Sequence, residues 1–181
     1  MTVYLFLDED GFCTGWSSNE DENLTPYETD DENILNGIMK YRYLNGVLVY
    51  DETKALISAK TSKKNRAKRV FLELLAKGFQ ITIADVQYTY PYDEDSKAYL
   101  NKVYELSTSG LIDEATFDFR QGDELVTISV DKVNITELWL LSFLHEEDLK
   151  KKINAFNVRV DETKSLAELQ EIVFDNDTVD F

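Results

Sequence analysis

Residues 115–156 read ATFDFRQGDELVTISVDKVNITELWLLSFLHEEDLKKKINAF, and the period of their apolar side chains changes part-way along. Ala115, Phe117 and Phe119 alternate with polar neighbours, Gln121-Gly122-Asp123 supplies a turn, and the alternation resumes at Val126, Ile128 and Val130. A period of two puts every second side chain on one face, so this half of the stretch predicts a half-buried β-hairpin. From Asn134 the spacing is helical, through Ile135, Leu138, Leu141, Phe143, Leu144, Leu149, Ile153 and Phe156. Asn134 with Glu137 three residues later has the form of a capping box, which predicts the helix start there. A hairpin running into one long helix indicates an α+β protein, and the other segments are read around that unit.

A length of 181 residues suits one domain of ordinary size or two small ones, and ten Tyr, ten Phe and two Trp supply a real core. The formal charge of −16 argues against nonspecific binding to nucleic acid or an anionic membrane, since both need cationic side chains. The same charge favours basic partners and leaves room for an acidic DNA mimic. Cys13 is the only cysteine, so neither an intrachain disulfide nor a Cys-rich zinc site is expected. The apolar residues 1–7 are few, have no basic lead-in and run into Asp8-Glu9-Asp10. The expectation is synthesis in a cytoplasm without export by the usual secretory route, and no membrane insertion.

The N-terminal part, residues 1–50, reads as a small β-rich module. Thr2–Leu7 is a strand, Asp8-Glu9-Asp10-Gly11 a tight turn and Phe12–Ser17 a returning strand. An acidic loop over residues 19–23 is followed by an extended piece at 26–29 and one helical turn through Ile34, Leu35, Ile38 and Met39. Asn45-Gly46, between Tyr41–Leu44 and Val47–Tyr50, supplies the two positive-φ residues of a type I′ turn and predicts a hairpin. Asp51 can cap a helix that reaches Lys77 and closes at Gly78. Thr61-Ser62 weakens its middle, so residues 51–62 are expected to be a linker or the first part of that helix.

A C-terminal α+β domain is expected over 63–174. Short strands at 80–84 and 86–90 end at Pro91, a helix capped by Asp93 or Asp95 runs through Tyr99, Leu100, Val103 and Leu106 to Gly110, and the hairpin and long helix follow. Ser165 with Glu168 makes a second capping box for a last helix. Residues 175–181 form an acidic tail with little to pack, expected to be disordered.

On these residues the chain resembles proteins of phage tails. The opening strand, the Asp8-Glu9-Asp10-Gly11 turn, the aromatic-rich strand, the acidic loop and Tyr41-Arg42-Tyr43-Leu44-Asn45-Gly46-Val47-Leu48-Val49 are similar to the first module of tail and baseplate appendage proteins of phages and prophages in Gram-positive bacteria. The remainder resembles an uncharacterised domain common at the C-terminus of tail proteins. The shared features are the basic helix ending Ala76-Lys77-Gly78-Phe79, the extended pair, Tyr99-Leu100-Asn101, the hairpin, and the closing Thr163–Ile172 segment. The segment Tyr88–Asp95 departs from that pattern, being denser in Tyr and acid where a glycine-centred turn is usual. The resemblance implies a noncatalytic structural component of a virion tail, with other tail or baseplate proteins as partners and a homo-oligomer of three-fold or six-fold symmetry. It brings no catalytic residue and no cofactor. The alternative is a cytoplasmic phage protein that binds another protein, either a tail assembly chaperone or an acidic DNA-mimic inhibitor.

Several local patterns suggest chemistry. His145-Glu146-Glu147 looks like part of a metalloprotease motif, but Leu149 stands where its second His belongs, so a structural, partly exposed His is expected. Asp8-Glu9-Asp10-Gly11 lacks the glutamate of a calcium loop, Ser17 taking that place, so a hairpin turn is the better reading. Acid pairs such as Asp93 with Asp95, or Asp113 with Glu114, suit a glycosidase only if the fold holds them across a sugar cleft, and 35 acids make such pairs common. Lys60, Lys63, Lys64, Arg66, Lys68 and Arg69 lie in a stretch without acid. It is either a solvated helix face or a docking surface for an acidic partner, such as the N-terminal unit of a neighbouring copy. Trp16, Trp139 and the Tyr88, Tyr90, Tyr92 cluster have the chemistry to stack on a host-surface saccharide, although core packing is the commoner use of such residues.

Overall fold

The element order in the computed structural model, which describes residues 1–174, is β-rich at the start and mixed thereafter. The expected disordered tail, 175–181, lies outside the described residues. The protein is α+β, and the chain divides into two compact units.

The first unit comprises Met1–Lys64 together with Val160–Ile172. Strands β1 (Thr2–Leu7), β2 (Cys13–Ser17) and β3 (Thr25–Glu28) form an antiparallel sheet in the order β2-β1-β3. Val3 and Leu5, on one face of β1, pack with Cys13, Leu35 and Ile38. Asp8 spends its Oδ1 on the backbone N–H groups of Asp10 (3.1 Å) and Phe12 (2.8 Å), which closes the β1–β2 turn. Helix α1 (Glu32–Asn36) starts on an Asp31 cap and leads through a 3₁₀ turn into β4 (Tyr41–Leu44) and β5 (Val47–Tyr50). Asn45 (φ 50°) and Gly46 (φ 89°) make the turn of that hairpin, as Asn-Gly predicts. Asp51 Oδ1 accepts from Lys54 N at 2.7 Å and caps α2 (Glu52–Lys77).

The second unit comprises Asn65–Arg159 together with Val173 and Phe174 among the described residues. Strands β6 (Phe79–Ile83), β7 (Val86–Tyr90), β8 (Glu114–Gln121) and β9 (Glu124–Asp131) form one antiparallel sheet in chain order. The β8–β9 register pairs Phe117 with Ile128 and Phe119 with Val126. These side chains join Tyr90, Leu100, Val103, Val130, Ile135 and Leu138 in the core. Burying each large apolar side chain contributes about 1.5–3 kcal/mol, which is why the alternation seen in the sequence decides the face. Between β7 and β8 lies α3 (Glu94–Thr108), capped by Asp93, whose Oδ1 accepts from Ser96 N at 2.8 Å. It ends in a Schellman motif: Leu111 N donates to Leu106 O (3.0 Å) and Gly110 N to Ser107 O (3.1 Å).

Two sequence expectations need correction, and two points the sequence left open are decided. Helix α2 runs unbroken through Thr61-Ser62, because the Thr61 hydroxyl bonds back to Ile57 O at 3.0 Å and is satisfied inside the helix. Residues 51–62 are therefore the cap and first part of that helix, the second of the two readings the sequence allowed. Helix α4 (Lys132–Glu162) begins before Asn134: Asp131 Oδ1 accepts from both Asn134 N (2.9 Å) and Asn134 Nδ2 (3.0 Å) and is the cap. The C-terminal unit does not extend uniformly over 63–174, since Val160–Ile172, which includes α5 (Leu166–Gln170), groups with the first unit. Finally, β6 and β7 pair along their whole length, from Phe79↔Tyr90 to Ile83↔Val86, around a turn whose positive-φ residues are Ala84 (49°) and Asp85 (64°), with no glycine in it.

Candidate functional site

On β8, Thr116 and Asp118 alternate with the core residues Phe117 and Phe119 and therefore face outward. Thr127 lies opposite Asp118 in the register and donates its hydroxyl to the Asp118 carboxylate. The first turns of α3 bring Asp95, Ser96 and Tyr99 to the same place, and with Tyr90 these residues line a cleft of about 460 Å³. Tyr99 is held at both ends, its hydroxyl donating to Thr116 O at 2.9 Å and its ring meeting Phe117 edge-on at 5.3 Å. Tyr90 is 2% exposed, donates to Ser96 O at 2.8 Å, and has its hydroxyl pKa pushed up, chiefly by burial. The side chain of Asp95 accepts no hydrogen bond and joins no ion pair among the described residues. The cleft thus offers carboxylates and hydroxyls beside a fixed aromatic ring.

The acid pairs seen in the sequence do not converge here. Asp93 is committed to its helix cap, and the hydrogen bonds to Ser96 hold its carboxyl below the usual carboxylate range. Glu114 accepts from Ser129 at 3.2 Å, and neither it nor Asp113 lines the cleft.

The basic stretch divides. Lys60 Nζ donates to Asp161 O at 2.8 Å, and Lys64 Nζ reaches both Asp161 carboxylate oxygens at 2.6 Å. Lys63 Nζ donates to the carbonyls of Leu169 and Gln170 at the end of α5. Lys60 and Lys63 thus bond carbonyls in the last turns of α4 and α5, where unpaired carbonyls and the helix dipole favour cations, and Lys64 pairs with the Asp161 carboxylate. Arg66, Lys68 and Arg69 remain exposed, with no hydrogen bond or ion pair among the described residues.

The aromatic candidates for sugar stacking are used otherwise. Tyr90 and Tyr92 are core residues, and the Tyr88 ring lies 5.5 Å from that of Phe119. Trp139 stacks on Tyr104 at 4.3 Å and near-parallel to Phe143 at 6.4 Å, with its Nε1 donating to Asn101. Trp16 Nε1 donates to Leu35 O at 3.1 Å. The partly exposed aromatic in the cleft is Tyr99, which the sequence marks as a helical position and as part of Tyr99-Leu100-Asn101 but not as a stacking candidate.

His145 is half-buried, as the structural reading expects. Its ring packs against Phe79 (5.6 Å) and Tyr92 (6.2 Å), and its Nε2 is buried without a bonded partner. Burial lowers its pKa, opposed by the nearby Leu75 carbonyl and the charges of Asp148 and Glu146. Burial acts to raise the pKa of Glu146, but hydrogen bonds from Lys97 (2.6 Å) and the ion pair with Lys150 (3.0 Å) outweigh it and hold the group ionised. Cys13 is buried, and burial with the Asp8 charge lifts its thiol to about 11, so it is a packing residue.

On α4, Val133, Leu140, Phe143 and Leu144 are exposed. No helix among the described residues is long and apolar enough to cross a membrane. Comparison with protein-family models, with curated proteins and with solved structures finds no match for this chain.

Proposed function

We propose that the protein is a noncatalytic structural component of a phage tail or baseplate, mediating assembly or host contact. In this reading it is made in the bacterial host cytoplasm and carried in the virion tail. The observation that supports it is the outer face of α4. Val133, Leu140, Phe143 and Leu144 recur at three-, four- and seven-residue spacing and stay exposed, while Ile135, Leu138 and Leu149 of the same helix are buried. Phe143 continues the Tyr104–Trp139 stack to the surface. Contiguous apolar surface on a folded protein marks a place of association. The tail context comes from the sequence resemblance and is an analogy. By the same analogy the partners are other tail or baseplate proteins and further copies in a three-fold or six-fold ring.

The charge of −16 favours a second reading, a cytoplasmic phage protein that binds another protein as an assembly chaperone or a DNA mimic. A mimic needs acids in rows, whereas the acids here are spread along the chain and the concentrated charge of residues 60–69 is basic, with Arg66, Lys68 and Arg69 exposed. Salt separates the two readings: an apolar contact between acidic copies strengthens as salt screens their repulsion, whereas a charge-driven complex weakens. The deciding experiment is antibody labelling of purified particles viewed by electron microscopy. Label at the tail tip is expected. Abundance in infected cells with absence from purified particles refutes the structural reading.

A further inference from the structure

We infer that the cleft between the first turns of α3 and the outward face of β8–β9 is a binding subsite for a neutral or amino-bearing sugar ring. The inference stands on the side chains of one unit and does not depend on whether the chain resides in a tail. Within a tail it would give host contact its ligand class.

Three features carry it. Tyr99 is 43% exposed even though both its hydroxyl and its ring edge are fixed. A ring already held in place loses little freedom on binding and can pack against the C–H surface of a sugar. Next, the hydrogen-bonding capacity left over in the cleft is mostly acceptor. Asp95 is unpaired, Asp118 accepts one bond from Thr127 and keeps its remaining lone pairs, and the Thr116 hydroxyl has no partner among the described residues. An ionised carboxylate accepts only, so the occupant must bring donors; adjacent hydroxyls of a sugar, or an ammonium beside a hydroxyl, match it. Finally, the cleft of about 460 Å³ is open to solvent on one side and has room for one sugar ring. Two carboxylates in the lining repel phosphorylated sugars and uronic acids and favour amino sugars.

The test uses the whole chain with glucose, galactose, N-acetylglucosamine and glucosamine, and with glucuronate and glucose 6-phosphate as charged counterparts. Saturation-transfer NMR should show transfer to one or more of the first four and none to the acidic pair. Asp95→Asn and Asp118→Asn sit at exposed positions and leave the fold intact, as an unchanged thermal transition will verify. Each should weaken binding by about tenfold, the loss of one charge-assisted hydrogen bond. Tyr99→Leu, which keeps bulk against Phe117, should abolish transfer, whereas Tyr99→Phe should retain it. The inference is overturned if none of the four sugars binds, if the acidic sugars bind as well as the others, or if both Asp variants bind as the parent does. Particle labelling has no bearing on these outcomes, so failure of the tail assignment and failure of this site are separable.

Discussion

Replacing Gly78 with alanine should destabilise the second unit severely, and the structure separates the cost into two parts. Gly78 closes α2 at φ +82°, and an L-residue held in the left-handed region costs about 1–2 kcal/mol. A Cβ built there would lie 1.8 Å from Tyr90 O, 2.7 Å from Tyr90 C and 3.0 Å from Pro91 Cα. These are backbone atoms, so no rotamer change relieves the overlap, and the end of β7 must move by at least an ångström. Tyr90 cannot follow freely, because it is 2% exposed and its hydroxyl is bonded to Ser96 O. Strain of this kind costs roughly 1–3 kcal/mol, so Gly78→Ala should lose about 2–5 kcal/mol in all. Gly110 provides the control. It has φ +75° and nothing within 4 Å of the added Cβ, so Gly110→Ala should show the conformational part alone, about 1–2 kcal/mol. Urea unfolding followed by Trp139 fluorescence in a Trp16→Phe background reads the unit that holds both glycines. If Gly78→Ala is no more destabilising than Gly110→Ala, the close approach of Gly78 to Tyr90 is wrong.

Ala84→Gly should raise the urea midpoint of the same unit by an amount worth about 1 kcal/mol, since Ala84 sits at φ 49° in the β6–β7 turn; a lower midpoint would refute this. Asp131→Ala should cost about 1 kcal/mol by removing the α4 cap, and Asn134→Ala less than about 0.5 kcal/mol. The reverse order in chemical denaturation would restore Asn134 to the capping role. His145 has its pKa lowered below 6.5 by burial, so the unfolded chain binds the proton more readily than the folded one. The stabilisation is fully present above 6.5 and is lost as the pH falls below it. His145→Phe, which keeps an aromatic ring beside Phe79 and Tyr92, should flatten the fall in stability between about pH 7 and pH 5.5, and an unchanged slope would show that the imidazole does not titrate differently on folding.

Much of the fold was legible because it depends on short spacings. Period two at Ala115–Val130, Asn45-Gly46 in a hairpin, and Asp51 and Gly78 at the ends of α2 each specify local geometry through a few adjacent residues. What the sequence misplaced or left open lies where a local signal had competitors. Asn134 with Glu137 imitates a capping box, but Asp131 stands at the end of β9 and reaches the same N–H first. Ala84-Asp85 lacks the usual turn residues, yet the β6–β7 pairing holds both at positive φ. Thr61-Ser62 looks like a break only when the hydroxyl's bond to the preceding turn is left out.

The sequence by itself determined the α+β class, the order of the elements and the buried face of the β8–β9 hairpin, because hydrophobic period and cap chemistry act over a few residues. The tertiary structure alone decided which groups meet. It brought Asp95 and Tyr99 of α3 to Asp118 and Thr127 across the sheet. It also joined Lys60 and Lys64 to Asp161, and Lys63 to the end of α5, leaving Arg66, Lys68 and Arg69 in solvent. Those meetings depend on strand register and helix packing between residues far apart in the chain, where no spacing in the sequence records the distance.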